Sequence, residues 1–178
     1  MDLLTKVKYQ QSSSSSITRQ SHPMLFLQVP QQSPSSASVK LNDLLKQYFS
    51  PINVDAGPSG TALKSYKLNS LPKLLIIALE RASGSIQETT VIHSHVCFTE
   101  YLCLDAYTKE KMSKKRNYTL KSVVDRKDTA GGHYITYRNE GNGVWIRFDD
   151  DKVNRARPLT VYNLQDVNML VYELEDTH

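Results

Sequence analysis

The sequence predicts an α+β domain that is built mostly from antiparallel strands, with few short helices. Short apolar runs recur between polar or proline-containing segments, at 24–29, 74–80 and 167–174, and such runs are typical of buried strands. One segment, 41–49, instead has apolar residues at helical spacing. No internal repeat interrupts this pattern, which indicates a single folded unit rather than an array.

Length and charge exclude several classes of protein. The 178 residues suffice for one domain or for half of a larger one, and the formal net charge of +4 is too small to indicate a nucleic-acid partner by itself. No apolar run approaches the roughly 20 residues of a membrane helix, and the N-terminus does not resemble a signal peptide. We therefore expect an intracellular protein, in cytoplasm or nucleus, with neither nucleic acid nor membrane as a partner.

The first 22 residues are poor in apolar side chains and contain five consecutive serines, Ser12–Ser16. Such a segment buries too little apolar surface to offset the entropy lost on ordering. We therefore predict a flexible serine-rich tail over 1–22 and a folded domain over 23–176.

A short amphipathic helix is predicted next. Its apolar residues recur at positions i, i+3, i+4, i+7 and i+8, and are Leu41, Leu44, Leu45, Tyr48 and Phe49. Ser50-Pro51 ends the helix, because a residue before proline disfavours helical backbone angles. A single stripe of this kind indicates packing against a core.

The apolar run Leu74–Glu80 permits either a central strand or a buried helix. Its short length and the preceding Leu71-Pro72 favour a strand buried on both faces. Tyr118–Val124 and Val167–Leu174 predict further strands, and a short helix is allowed after Pro158, around 161–166.

The basic run Lys109–Arg116 has two interpretations. It suits a nuclear-import or nucleic-acid patch, but we favour a solvated loop, because no aromatic platform accompanies it.

Two predicted strands, 133–138 and 144–149, flank a turn rich in glycine and asparagine, as tight hairpins require. With a three-residue turn, His133 lies directly opposite Asp149, and side chains so opposed have Cβ atoms about 4.5–5.5 Å apart. A register slipped by one residue would place Asp150 opposite the histidine instead. Either register gives the imidazole a carboxylate.

This pair suits nucleophilic catalysis. A carboxylate bound to one imidazole nitrogen fixes the tautomer, which leaves the other nitrogen to accept a proton from a thiol or hydroxyl. Gly131-Gly132 precedes His133 and allows close approach of another backbone, because glycine has no Cβ. A surface histidine beside an aspartate is also common without any catalytic role.

The longer pattern resembles the C-terminal box of the ubiquitin-specific protease family of cysteine deubiquitinases. Residues 131–137 are similar to its Gly-Gly-His-Tyr-x-x-Tyr motif, and 145–153 to its Trp-x-x-Phe-Asp-Asp-x-x-Val motif. In the same order, 41–49 looks like the helix of the fingers, 71–81 like the leucine-proline strand, and 169–172 like the closing strand.

The resemblance implies the palm and part of the fingers of a papain-like cysteine protease fold, with the thumb missing. It implies that His133 is the catalytic base, Asp149 its orienting acid, and Asp150 an auxiliary polar residue near the oxyanion. The residues that it implies for the channel of the ubiquitin tail, or for substrate binding, are Gly131, Gly132, Tyr134 and Trp145.

The sequence also departs from the family. A Gly-Asn-Thr-Cys box with the nucleophile is absent, as are the zinc-binding cysteine pairs of the fingers, so we expect neither metal nor cofactor. Cys97 and Cys103 lie in an apolar stretch and are predicted to be buried structural thiols. His93 and His95 have the spacing of a metal pair, but no third ligand is evident, and a polar loop or edge is favoured.

The resemblance implies thiol-dependent deubiquitination, with ubiquitin or ubiquitinated proteins as partners. The alternative is a catalytically inactive protein that binds ubiquitin or acts as a scaffold.

Overall fold

A computed structural model describes residues 1–10, 14–31, 38–84, 89–110, 115–127 and 132–175. Its strands are β1 (Asp2–Tyr9), β2 (Ser15–Ser21), β3 (Leu25–Gln28), β4 (Val39–Lys40), β5 (Ile52–Asp55), β6 (Thr61–Ser70), β7 (Leu74–Glu80), β8 (Ala82–Gly84), β9 (Thr89–Val91), β10 (Val96–Cys97), β11 (Tyr101–Cys103), β12 (Asn117–Lys127), β13 (His133–Gly141), β14 (Val144–Asp149), β15 (Lys152–Ala156) and β16 (Val167–Leu174). Its helices are α1 (Leu41–Phe49) and α2 (Pro158–Tyr162), with 3₁₀ turns at Gly57–Ser59 and Asp105–Tyr107.

The larger sheet contains eight strands. Seven follow one another in the order β15-β14-β13-β12-β16-β7-β3, and β11 also pairs with β12. These pairs are antiparallel, except that β3 and β7 are parallel. The predicted α+β fold with a mostly antiparallel sheet is therefore confirmed.

One face of this sheet, the inner face, carries the hydrophobic core. Alternate residues of a strand point to one face, and in β7 these are Leu75, Ile77 and Leu79, which are all buried. Neighbouring strands complete the layer with buried Leu25, Leu27, Val123, Ile135, Tyr137, Trp145, Leu170 and Tyr172. The strand predicted over 74–80 is confirmed.

The opposite face, the outer face, is only partly buried. The strand registers align one residue from each of seven strands across it: Phe26, Ala78, Met169, Val124, Thr136, Phe148 and Val153. At the two ends of this row Phe26 is 45% and Val153 59% exposed, and Leu74 of β7 is 55% exposed on the same face. The expectation that β7 is buried on both faces is therefore wrong within the described residues, because α1 and α2 both join the core of the inner face.

The smaller sheet has four strands in the order β2-β1-β6-β5. The flexible tail predicted over 1–22 is therefore wrong for its described residues, because β1 is a central strand that pairs with β6 along its whole length. Residues 11–13 of the predicted tail lie outside the described residues. Leu3 is 1% exposed and lies opposite Leu68. Strand β2 is exposed throughout and is ordered by its backbone pairing with β1, which a composition rich in serine does not reveal.

Helix α1 confirms the predicted amphipathic segment, and its buried residues are Leu41, Leu44, Leu45 and Phe49. Ser50 ends it in an extended conformation. The ring of Tyr48 stacks on Tyr66 of the smaller sheet, with centroids 5.1 Å apart. The ring of Phe49 stacks on Tyr107 at 4.4 Å. The first contact joins α1 to the smaller sheet, and the second joins α1 to the 3₁₀ turn at Asp105–Tyr107.

The second helix begins earlier than predicted. It spans Pro158–Tyr162 rather than 161–166. Proline is favoured at the first helical position, where its fixed φ suits the helix and its missing N–H has no role. Val161 is fully buried and anchors the helix on the inner face.

The remaining predictions are mostly confirmed. Strands β3, β12 and β16 correspond to the predicted strands at 24–29, 118–124 and 167–174. Residues 111–114 of the predicted basic loop lie outside the described residues. No helix in the described part of the chain is long and apolar enough to span a membrane.

The position of β1 in a folded sheet gives a direct test. Leu3→Ala should lower the free energy of unfolding by roughly 2–5 kcal/mol, because it removes a buried side chain and leaves a cavity. Ile17→Ala, in the neighbouring β2, is the matched control, because Ile17 is 65% exposed. Urea unfolding followed by circular dichroism measures both variants. Equal and small effects would contradict a folded N-terminal segment.

Candidate active site

The hairpin of β13 and β14 positions the candidate site, and its register differs from the predicted one. Thr136 lies opposite Phe148, two residues farther along β14 than expected. The cause is the turn: Asn142 and Gly143 both have positive φ, as a two-residue hairpin turn requires, and the register shifts beside it, between Asn139 and Gly141.

The side-chain prediction nevertheless holds. A shift of two residues keeps every side chain on its face, so His133 and Asp149 lie on the same side of the sheet. The imidazole Nε2 of His133 and the Oδ1 of Asp149 are 2.5 Å apart. Both side chains are partly buried, and Lys127 of β12 is the residue opposite His133 in the sheet.

The hydrogen bond defines which imidazole nitrogen remains available. In the neutral ring Nε2 carries the proton that it donates to Asp149, so Nδ1 is the acceptor. Oδ2 of Asp150 lies 4.0 Å from Nδ1. Among the residues that the structure describes, no thiol or hydroxyl hydrogen-bonds to Nδ1. This arrangement leaves Nδ1 able to accept a proton from a donor that is not in contact with it.

The carboxylate of Asp149 has a second partner that the sequence did not reveal. Its Oδ2 accepts a hydrogen bond from Nη2 of Arg147 at 2.5 Å. The hydrogen bond from His133 is the largest cause that lowers the pKa of Asp149, and Arg147 lowers it further against the effect of burial. The sequence feature that could have indicated this contact is the spacing of Arg147 and Asp149, because residues two apart on a strand share a face.

Asp150 occupies the turn between β14 and β15. Its φ is +52°, a left-handed conformation that aspartate tolerates better than most residues. Its side chain is 79% exposed. The turn thus places a second carboxylate beside the imidazole, on the Nδ1 side.

The predicted substrate-binding residues differ in their exposure and in whether the structure describes them. Gly131 lies outside the described residues, and Gly132 has a φ of +72°, which favours glycine. Tyr134 is 52% exposed and is available for contact. Trp145 is 1% exposed and packs edge-on against Tyr162, so the expectation of a substrate contact from Trp145 is wrong.

The two cysteines make separate contacts. Cys97 is half-buried, with its Sγ 3.6 Å from Nδ1 of His95. Cys103 is exposed on β11, so the prediction of a buried thiol is wrong for Cys103 and only partly met by Cys97. His93 hydrogen-bonds through Nδ1 to Asp166 at 2.9 Å. The two histidines thus have different partners rather than a shared one.

One group of described residues has the composition of a metal site. His133, Asp149 and Asp150 bring ligand atoms within 4.8 Å of one another. Both oxygens of Asp149 are already engaged, by His133 and Arg147. These three residues therefore form a hydrogen-bonded pair with a neighbouring carboxylate rather than an open coordination site.

The family model described as ubiquitin carboxyl-terminal hydrolase matches residues 3–172. The chain belongs to this family. The match begins within β1, in agreement with the folded N-terminal segment, and confirms the resemblance to the ubiquitin-specific proteases.

Curated relatives of this ubiquitin hydrolase family match a shorter region. Ubiquitin carboxyl-terminal hydrolase 17-like protein B of Mus musculus is 32% identical over 104 residues, which are 57% of this chain and 22% of the relative. Ubiquitin carboxyl-terminal hydrolase 7 of Drosophila melanogaster is 32% identical over 109 residues, 58% of this chain and 10% of the relative. The matches thus span a small part of these relatives' length.

Solved structures share the fold. A SAGA DUB module containing Ubp8, Sgf11, Sus1 and Sgf73, bound to monoubiquitin, gives a TM-score of 0.84 at 20% identity. A yeast SAGA DUB module with a mutant Sgf73 gives 0.80 at 20% identity. Each comparison covers 99% of this chain and 41% of the solved one.

The lowered pKa of Asp149 predicts how its interactions respond to acid. A carboxylate with a lowered pKa stabilises the fold above its unfolded pKa of about 3.9, and this contribution is lost as the pH falls through the folded value. The difference in Tm between the wild type and Asp149→Asn should therefore shrink as the pH falls below about 4. Calorimetry across this range measures it.

The matched control for this experiment is Asp151→Asn, which changes the exposed aspartate two residues along the same turn. Its difference in Tm from the wild type should be small at every pH. Identical pH profiles for the two variants would contradict a specific role of the Asp149 carboxylate.

Proposed function

We propose that this chain binds the C-terminal tail of ubiquitin and provides the general base and orienting acid for thiol-dependent hydrolysis of ubiquitin conjugates. One observation carries the proposal: His133 has its Nε2 held by Asp149 and its Nδ1 without a hydrogen-bond partner among the described residues. Family membership supports ubiquitin as the substrate class, as does the monoubiquitin bound to the SAGA module. An intracellular location, in cytoplasm or nucleus, belongs to the same proposal.

In this mechanism Nδ1 of His133 accepts the proton of a thiol. The thiolate attacks the carbonyl carbon of ubiquitin's last residue, and the imidazolium later returns the proton to the leaving amine. Asp149 stabilises the imidazolium, and water releases ubiquitin from the resulting thioester. Asp150, on the Nδ1 side of the ring, is the auxiliary polar residue beside the developing oxyanion.

The tail of ubiquitin would lie next to the start of β13. Gly132 directly precedes His133 and has no Cβ to obstruct an extended chain. We propose that Gly131 and Gly132 form the narrow floor of a channel and that the half-exposed ring of Tyr134 lines its side. Trp145 is buried in the core, so it would support this channel without contacting ubiquitin.

We propose that neither cysteine of this chain is the nucleophile. Cys97 contacts His95, and Cys103 lies at the far end of β12 from His133, beside Asn117. The catalytic cysteine would then belong to a part of the domain outside this sequence. The same observation favours a second candidate, a ubiquitin-binding protein without catalytic activity.

The isolated chain should therefore not hydrolyse a fluorogenic substrate in which a dye is attached to the C-terminus of ubiquitin. Continuous fluorescence, with an active family member as the positive control, measures this. Turnover that disappears in Cys97→Ala or Cys103→Ala would overturn the assignment.

An added small thiol separates the two candidates. A working base should accelerate exchange of a ubiquitin C-terminal thioester with the added thiol, by accepting the thiol proton and returning it to the leaving thiolate. Mass spectrometry follows the exchange. His133→Gln should remove the acceleration without weakening ubiquitin binding, whereas a chain that binds ubiquitin without any acceleration would be the inactive binding protein.

Ubiquitin binding should depend on Tyr134. Tyr134→Ala is expected to weaken the Kd for ubiquitin by about tenfold, the loss of roughly 1.4 kcal/mol that one well-placed aromatic contact provides. Tyr101→Ala is the matched control, because Tyr101 is equally exposed, at 57%, and lies opposite Thr119, at the far end of β12.

Isothermal titration calorimetry measures these affinities. Ubiquitin without its last two glycines should also bind more weakly to the wild type, and Tyr134→Ala should reduce that difference. The absence of saturable binding at about millimolar ubiquitin, or equal losses in the two tyrosine variants, would refute the proposed channel.

A further inference from the structure

We propose that Arg147 is a positioning residue, which holds the carboxylate of Asp149 so that one oxygen remains directed at the imidazole of His133. This inference rests on the function proposed above, because it concerns the same base and acid. It adds a third side chain to the pair.

The contacts of Asp149 divide its two oxygens between two partners. Oδ1 accepts from Nε2 of His133, and Oδ2 accepts from Nη2 of Arg147, each at 2.5 Å. A carboxylate rotates readily about its χ2 bond, because that torsion has a broad energy profile. An anchor on Oδ2 therefore decides where Oδ1 points.

Arg147 is itself held in place. It precedes Asp149 by two residues on β14, so both side chains lie on the inner face. Tyr137 is the residue directly opposite on β13, so its side chain lies beside the guanidinium on the same face. Tyr137 is 3% exposed and belongs to the core. The arginine thus lies between a buried cross-strand neighbour and the carboxylate that it binds.

Among the residues that the structure describes, few charged groups lie around the imidazole. Asp149 and Asp150 face it from β14 and the turn that follows. Lys127 lies opposite it on β12, but its ammonium is paired with the buried Asp125. Arg147 is the cation that bonds directly to the orienting acid, and a planar guanidinium holds a carboxylate with more directional control than an ammonium.

The same hairpin provides a comparison. Arg138 is on β13, on the outer face, where it pairs with Glu140 and lies over the ring of Phe148, 5.3 Å from its centroid. It shares the residue type and the hairpin of Arg147 but does not contact Asp149. A variant at this position therefore reports the effect of losing an arginine without losing the anchor.

The experiment measures the hydrogen bond itself. In ¹⁵N-labelled chain the proton on Nε2 of His133 gives a resonance whose exchange with water is slowed by the bond to Asp149. Arg147→Met should accelerate this exchange by at least about threefold, toward the rate found in Asp149→Ala, because the carboxylate loses its anchor. Arg147→Lys should stay within about twofold of the wild type, since an ammonium still donates to Oδ2. Arg138→Met should leave the rate unchanged.

Each outcome decides the proposal. It is overturned if Arg147→Met exchanges at the wild-type rate, or if the wild type has no protected Nε2 proton. Should Arg147→Met fail to fold, Arg147→Gln replaces it. If both neutral variants unfold while Arg147→Lys folds, Arg147 stabilises the fold and the positioning role is refuted. Urea unfolding of every variant separates local loss of protection from global destabilisation.

The readout does not depend on ubiquitin or on turnover. A chain that does not bind ubiquitin can still show the Arg147 effect, and a chain that binds ubiquitin can lack it. Failure of this proposal is therefore distinguishable from failure of the proposed function.

Discussion

The antiparallel pairing of β13 with β14 is the constraint on which the candidate site depends. Side chains alternate along each strand, so the pairing alone brings His133 and Asp149 to one face of the sheet. Ile135 of β13 and Trp145 of β14 lie on the same inner face as His133 and Asp149, and both are buried. His133 and Asp149 therefore lie at the edge of a packed layer, where the backbone restricts both and solvent still reaches them.

The two faces of the larger sheet differ in a way that bears on the rest of the domain. The inner face is filled by this chain's own core, including α1 and α2. The outer face is crossed by a row of largely apolar residues that stay partly exposed from Phe26 to Val153. Apolar residues on both faces of central strands are typical of sheets that are covered on both sides.

Electrostatics at the site centre on one carboxylate. Asp149 is hydrogen-bonded to both His133 and Arg147, and both partners lower its pKa. An ionised carboxylate is the form that accepts a hydrogen bond from Nε2 and stabilises an imidazolium. The site thus combines an imidazole, its counter-charge and a cation that holds the counter-charge.

The sequence by itself determined the local patterns: the stripe of α1, the strand β7, and the shared face of His133 and Asp149, which survived a register error of two residues because the side-chain period is two. Tertiary structure decided what depends on distant partners. Strand β1 forms because β6, some 60 residues away, pairs with it. Trp145 is buried because α2 and the inner core cover it. Arg147 reaches Asp149 because side-chain geometry, which the sequence pattern does not encode, directs it there.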